Sequence, residues 1–94
     1  SQLIVLEPAA QRGRSWPLAS ELTIGRAAGC AVAIPEDTFA SQIHARVFQS
    51  DGQTWVEDLG STNGTFVNRD RVTAATAVRR GDQVKVGNTV LELG

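Results

Sequence analysis

The feature that most constrains this chain is its rhythm of short apolar runs cut by turn formers. Leu3–Leu6, Leu22–Ile24, Ala31–Ile34, Trp55–Glu57, Thr65–Val67, Gln83–Val86 and Thr89–Leu93 are each too short for a helix of three turns. His44–Gln49 alternates, with Ala45, Val47 and Gln49 on one side. The runs are rich in β-branched and aromatic residues, and each is bounded by Gly, Asn, Asp or Pro, the composition of half-buried strands. No stretch holds a 3.6-residue apolar period long enough for a core helix. Asp51-Gly52 and Gly87-Asn88 sit between paired runs and predict two-residue hairpins. Pro8, Pro17 and Pro35 fall at run edges, where a missing N–H does little harm. Many short strands at this spacing predict an all-β sandwich or a small barrel.

With 94 residues there is room for one domain and one core, which excludes a multidomain enzyme. The chain is read as a single domain over residues 1–94, cut from a longer protein, since it starts at Ser1 and holds no methionine. No apolar run approaches the ~20 residues that span a bilayer. Nine basic residues face ten acidic ones, so the basic excess of a nucleic-acid binder is missing. Eight of the nine cations are arginine, however, the residue suited to bidentate contact with phosphate or carboxylate. One cysteine, Cys30, allows no internal disulfide and suits a reducing, cytoplasmic compartment. The arginine- and alanine-rich composition is associated with high-GC bacteria.

Four polar groups lie at run edges, where a rigid sandwich presents its recognition loops. They are Gly25-Arg26, Ser41-Gln42-Ile43-His44, Asp58 through Thr65, and Arg80-Gly81-Asp82. Alone, Arg26 reads first as a solvated cation and only second as an anion clamp with five donors. The glycine before it lets the chain turn. Ser41 with His44, and Asp58 as a third member, suggests a hydrolase, but no nucleophile elbow is present and a three-residue spacing is poor for a Ser–His bond. One histidine and one cysteine are too few for a metal site. Gly60-Ser61-Thr62-Asn63-Gly64 offers N–H groups, hydroxyls and an amide to a ligand, or is a polar turn with Asn63 near the left-handed region.

Taken together, Gly25-Arg26, Ser41-x-x-His44-Ala45, Asp58-Leu59-Gly60-Ser61-Thr62-Asn63-Gly64-Thr65-Phe66-Val67-Asn68, Gly81-Asp82 and Val86-Gly87 resemble the forkhead-associated (FHA) domain over about Leu22–Leu93. The resemblance implies a β-sandwich of about eleven strands in two sheets, mostly antiparallel, which binds phosphothreonine peptides with loops at one end. It implies that Arg26, Ser41 and Thr62 contact the phosphate and that Asn63 holds the peptide backbone. Gln42 and Ser61 become secondary contacts, and Gly25, His44 and Gly64 support the site. Gln42 stands where the family often has arginine, and Asn68-Arg69 replaces the commoner Asn-Gly turn. The expected partner is a phosphothreonine protein in Ser/Thr-kinase signalling, with no cofactor, nucleic acid or catalysis. The alternative is a scaffold of the same fold that binds its partner without phosphate through a sheet face. Apolar side chains exposed away from the loops would favour it.

Overall fold

A computed structural model describes all residues from Ser1 to Gly94. Eleven strands form two sheets. One holds, in spatial order, β2 (Ser15–Pro17), β1 (Gln2–Glu7), β11 (Thr89–Leu93), β10 (Gln83–Val86), β7 (Thr65–Val67) and β8 (Asp70–Arg71). The other holds β4 (Val32–Ala33), β3 (Glu21–Gly25), β5 (Ala45–Ser50), β6 (Gln53–Asp58) and β9 (Thr76–Val78). Only the β3–β4 pairing is parallel. The core is the set of inward residues from both sheets: Leu3, Val5, Val84, Val86 and Leu91 face Ile24, Val32, Val47 and Val56, all at most 1% exposed. This alternation is the period-2 pattern of each strand turned toward one interior.

The hairpin predictions hold. Ser50 pairs Gln53 across Asp51-Gly52, whose φ angles of 54° and 75° are both positive, as a type I′ turn requires. Val86 pairs Thr89 across Gly87-Asn88, with positive φ only at Gly87.

Three strands were not visible in the sequence. β2, β8 and β9 carry no run of large apolar residues, and each exists because a longer neighbour offers a free edge. Pro17 does end an edge strand. Two details differ from expectation. Gln49 is exposed, because β5 has by then run past the core. Of Ala31–Ile34, only Val32 and Ala33 join the ladder, and Ile34 is buried beyond it.

Candidate functional site

The connections β3–β4, β4–β5, β6–β7 and β10–β11 meet at one end of the sandwich. The register of β5 with β6, Ala45 opposite Asp58, brings the two long loops side by side there. Gly25 ends β3 against the β4–β5 loop. A Cβ at Gly25 would lie 2.2 Å from the Gln42 carbonyl oxygen and 3.0 Å from that of Ser41. Its φ is not positive, so the need is for close approach and not, as the sequence suggested, for a turn. Across this contact the Arg26 and Ala27 N–H groups donate to the Ser41 and Gln42 carbonyls (3.0 and 3.1 Å). The half-buried Arg26 side chain donates from Nε to the Ala40 carbonyl at 2.6 Å. One of its five donors is thus used to aim the guanidinium, which has no ion-pair partner.

His44 is fully buried. Its Nδ1 accepts from the Ser41 N–H at 3.0 Å, which leaves the proton on Nε2 to donate to the Gly64 carbonyl at 2.8 Å. One ring therefore ties the serine loop to the glycine-rich loop. A second tie runs from the Thr62 N–H to Ser41 Oγ, 3.1 Å. A third runs from Asn63 Nδ2 to the Phe39 carbonyl, 2.9 Å. Arg26, Ser41, Thr62 and Asn63 are thus linked into one surface, with Thr62 and Asn63 exposed and Ser41 half-buried.

The β6–β7 loop is built on Asp58. Its carboxylate accepts from the Gly60 and Ser61 N–H groups (both 3.0 Å), from Thr65 Oγ1 (2.7 Å) and from Ser61 Oγ. Partial burial alone would raise this carboxyl's pKa; the hydroxyls of Ser61 and Thr65 and the two N–H groups outweigh it and hold the group below its ordinary value. Ser61 Oγ also accepts from the Gly64 N–H at 2.9 Å, so this hydroxyl is committed inside the loop. Positive φ falls on Gly60 and Gly64 and not on Asn63, which corrects the left-handed reading of that asparagine. The Gln42 side chain is exposed and makes no hydrogen bond; its backbone carbonyl takes the Cys30 Sγ–H at 3.4 Å. Gly81-Asp82 lies elsewhere: Asp82 accepts from the Arg79 N–H (2.7 Å) and Asn68 Nδ2 (3.0 Å), which lowers its pKa and anchors the start of β10.

The three side chains that suggested hydrolysis do not form a relay. Ser41 meets the His44 ring through its N–H and not its Oγ, and Asp58 bonds to Ser61 and Thr65. One residue that organises this end was missed. Asp37 accepts from the Phe39 N–H (3.1 Å), the Asn88 N–H (2.8 Å) and Thr89 Oγ1 (2.7 Å), pinning the β4–β5 loop to the β10–β11 hairpin. Nothing local in sequence marks it, because two of those partners are 51 and 52 residues away. The large apolar residues that are exposed, Phe39, Ile43 and Leu59, all lie on these loops and none on a sheet face.

A sandwich whose loops join an arginine, a serine and a Thr-Asn pair at one end defines a class of recognition module. The chain belongs to the FHA domain family, whose model matches residues 22–87. It is 41% identical over 92 residues to the FHA domain-containing protein FhaB of Mycolicibacterium smegmatis, an alignment covering 98% of this chain and 59% of that protein. The chain thus spans about six-tenths of that relative's length. Among solved structures it resembles an FHA domain studied for phosphothreonine-dependent interactions (27% identity, TM-score 0.84, 97% of this chain and 91% of that one). It also resembles the FhaA FHA domain complexed with an intracellular domain of another protein (27% identity, TM-score 0.83, 97% and 96%). No helix is long and apolar enough to cross a membrane.

Proposed function

We propose that the domain is a phosphothreonine reader that docks phosphorylated proteins in Ser/Thr-kinase signalling and transforms nothing. The observation that carries this reading is the linkage of Arg26, Ser41, Thr62 and Asn63 through the bonds between the Thr62 N–H and Ser41 and between the Arg26 N–H and the Ser41 carbonyl. Phosphothreonine brings about −1.5 to −2 charges and three strong acceptor oxygens. In this reading the Arg26 guanidinium supplies charge, and the Ser41 and Thr62 hydroxyls supply donors. The Asn63 amide exchanges its bond to the Phe39 carbonyl for the peptide backbone. Gln42 lies at the rim as an uncharged secondary contact, and the Ser61 hydroxyl shapes the loop from within. Gly25, His44 and Gly64 hold the frame. The domain acts in the cytoplasm, as one module of a longer protein. The phosphate-independent scaffold is the weaker reading, since Phe39, Ile43 and Leu59 are exposed on the loops and not on a sheet face.

Calorimetric titration with one peptide in threonine, glutamate and phosphothreonine forms tests this. Only the phosphorylated form is expected to bind well. Arg26→Ala is expected to weaken it by about 2–5 kcal/mol, the cost of leaving a buried charge unpaired, with an unchanged circular dichroism spectrum. Equal affinity for the three forms would overturn the reading.

A further inference from the structure

Arg71 is a second cation at this end that neither the phosphate site nor the fold consumes. It lies on β8 directly across from Phe66, and Phe66 lies directly across from Lys85 on β10. Directly paired residues share a sheet face, so Arg71, Phe66 and Lys85 form one row across three strands. The row continues to Val90 and ends at Glu7. It is the outer face: Arg71 and Lys85 are exposed and Phe66 half-buried, while their chain neighbours Val67, Val72, Val84 and Val86 are buried. Asp70, paired with Val67, belongs to the other face by alternation.

Arg71 also reaches the recognition loop. Its Nε, Cζ and Nη2 lie 3.0, 3.1 and 3.3 Å from where a Cβ on Gly64 would stand. The guanidinium therefore rests on the backbone one residue beyond Asn63. Neither Arg71 nor Lys85 has a carboxylate partner; both ion pairs of the chain belong to Arg46, with Glu21 and Glu57. An exposed guanidinium without an ion-pair partner beside a loop offers its planar fork of donors to an external carboxylate. Nearer the phosphate, Gln42 contributes no charge.

We infer that Arg71, with Phe66 and Lys85 behind it, is a second docking strip that takes acidic residues flanking the phosphothreonine in the same peptide. This rests on the phosphothreonine reading and extends it to the chemistry of the partner: a phosphorylated segment with aspartate or glutamate nearby, running from the Asn63–Gly64 loop onto the β8–β7–β10 face. Charge complementarity selects this occupant, because Arg71 and Lys85 flank one aromatic ring, and the row's one carboxylate, Glu7, lies at its far end beyond Val90. Its contribution is that of rim ion pairs: selectivity and salt sensitivity more than raw affinity.

The test compares two phosphothreonine peptides by fluorescence anisotropy. One carries aspartates on both sides of the phosphothreonine, and the other carries asparagines there. The wild type is expected to prefer the acidic peptide by about 1.4- to fivefold per ion pair, the range for exposed pairs. The preference is expected to vanish near 1 M salt, where screening acts over about 3 Å. Lys85→Gln is expected to reduce the ratio, and R71Q combined with K85Q to bring it to one. Arg71→Glu is expected to favour a lysine-flanked phosphopeptide over the acidic one, which a purely structural arginine would not produce. An acidic preference unchanged in the double variant overturns the inference. So does a wild type that binds both phosphopeptides equally, and the phosphothreonine reading then stands. If neither phosphopeptide binds, both readings fall.

Discussion

His44 puts two hydrogen bonds into a fully buried position, and both go to backbone groups of recognition loops: the Ser41 N–H and the Gly64 carbonyl. Neither ring nitrogen is left for a ligand. His44→Ala is therefore expected to act first on stability. Each buried group left unpaired costs about 1–3 kcal/mol, and each kcal/mol lowers the melting temperature of a domain this size by about 4–8 °C. A melt matching the parent's, together with lost phosphopeptide binding, would make His44 a contact residue instead. The family resemblance already implied that His44 supports the site. It did not show which loops were joined, because Gly64 is 20 residues away. Gly25 teaches the same limit. That a glycine was needed was legible, but the reason, a carbonyl 17 residues on that would lie 2.2 Å from a Cβ, was not.

At the scale of elements, the β7–β8 hairpin carries the clearest strain. Val67 pairs Asp70 across Asn68-Arg69, whose φ angles are 46° and 77°. A type I′ turn needs both positive, and arginine is poorly suited to the second position. Asn68 justifies its place twice over: its side chain bonds Asp82 Oδ1 (3.0 Å) and accepts the Gln83 N–H (2.9 Å), which stitches the turn to β10. Arg69→Gly is expected to relieve the left-handed strain, about 1–2 kcal/mol, less the 0.5–1 kcal/mol that glycine loses in chain entropy. The result is a net stabilisation of roughly 0–1.5 kcal/mol, centred near 0.75. It is read as a higher urea midpoint at unchanged m-value. A lower midpoint would show that the Arg69 side chain holds the hairpin by contacts that outweigh its backbone strain.

At the scale of the whole molecule, one carboxylate couples the recognition end to pH. Asp58 is the hub of the β6–β7 loop, and its hydrogen bonds hold its pKa below the ordinary value of 3.8 against the effect of burial. A carboxyl depressed in the folded state stabilises it at any pH above the unfolded pKa. That stability is lost as pH falls through the folded pKa. The contribution of Asp58 is therefore fully present at neutrality and disappears only on acidification below about pH 4. Asp58→Asn is expected to melt lower than the parent from pH 5 to 8, and the gap is expected to narrow below pH 4. A gap that widens on acidification would mean that protonated Asp58 is the better partner for Ser61 and Thr65. Asp37 and the close approach at Gly87, where a Cβ would stand 2.6 Å from Asp37 Oδ1, tie the β4–β5 loop to the other sheet.

The residue pattern by itself determined the all-β class, eight of the eleven strands, two hairpin turns and the order of the site motifs, because each of these is encoded within a few neighbouring positions. Period-2 alternation and turn chemistry are local, and so is a Ser-Thr-Asn segment between glycines. Only the tertiary structure decided what long-range contacts decide. The short edge strands β2, β8 and β9 exist through pairing alone. Asp37 became an anchor through partners on a distant hairpin. Arg71 came to rest on Gly64 because β8 folds back along β7, where hydrogen bonding between strands, and not the local sequence, sets the position of the side chain.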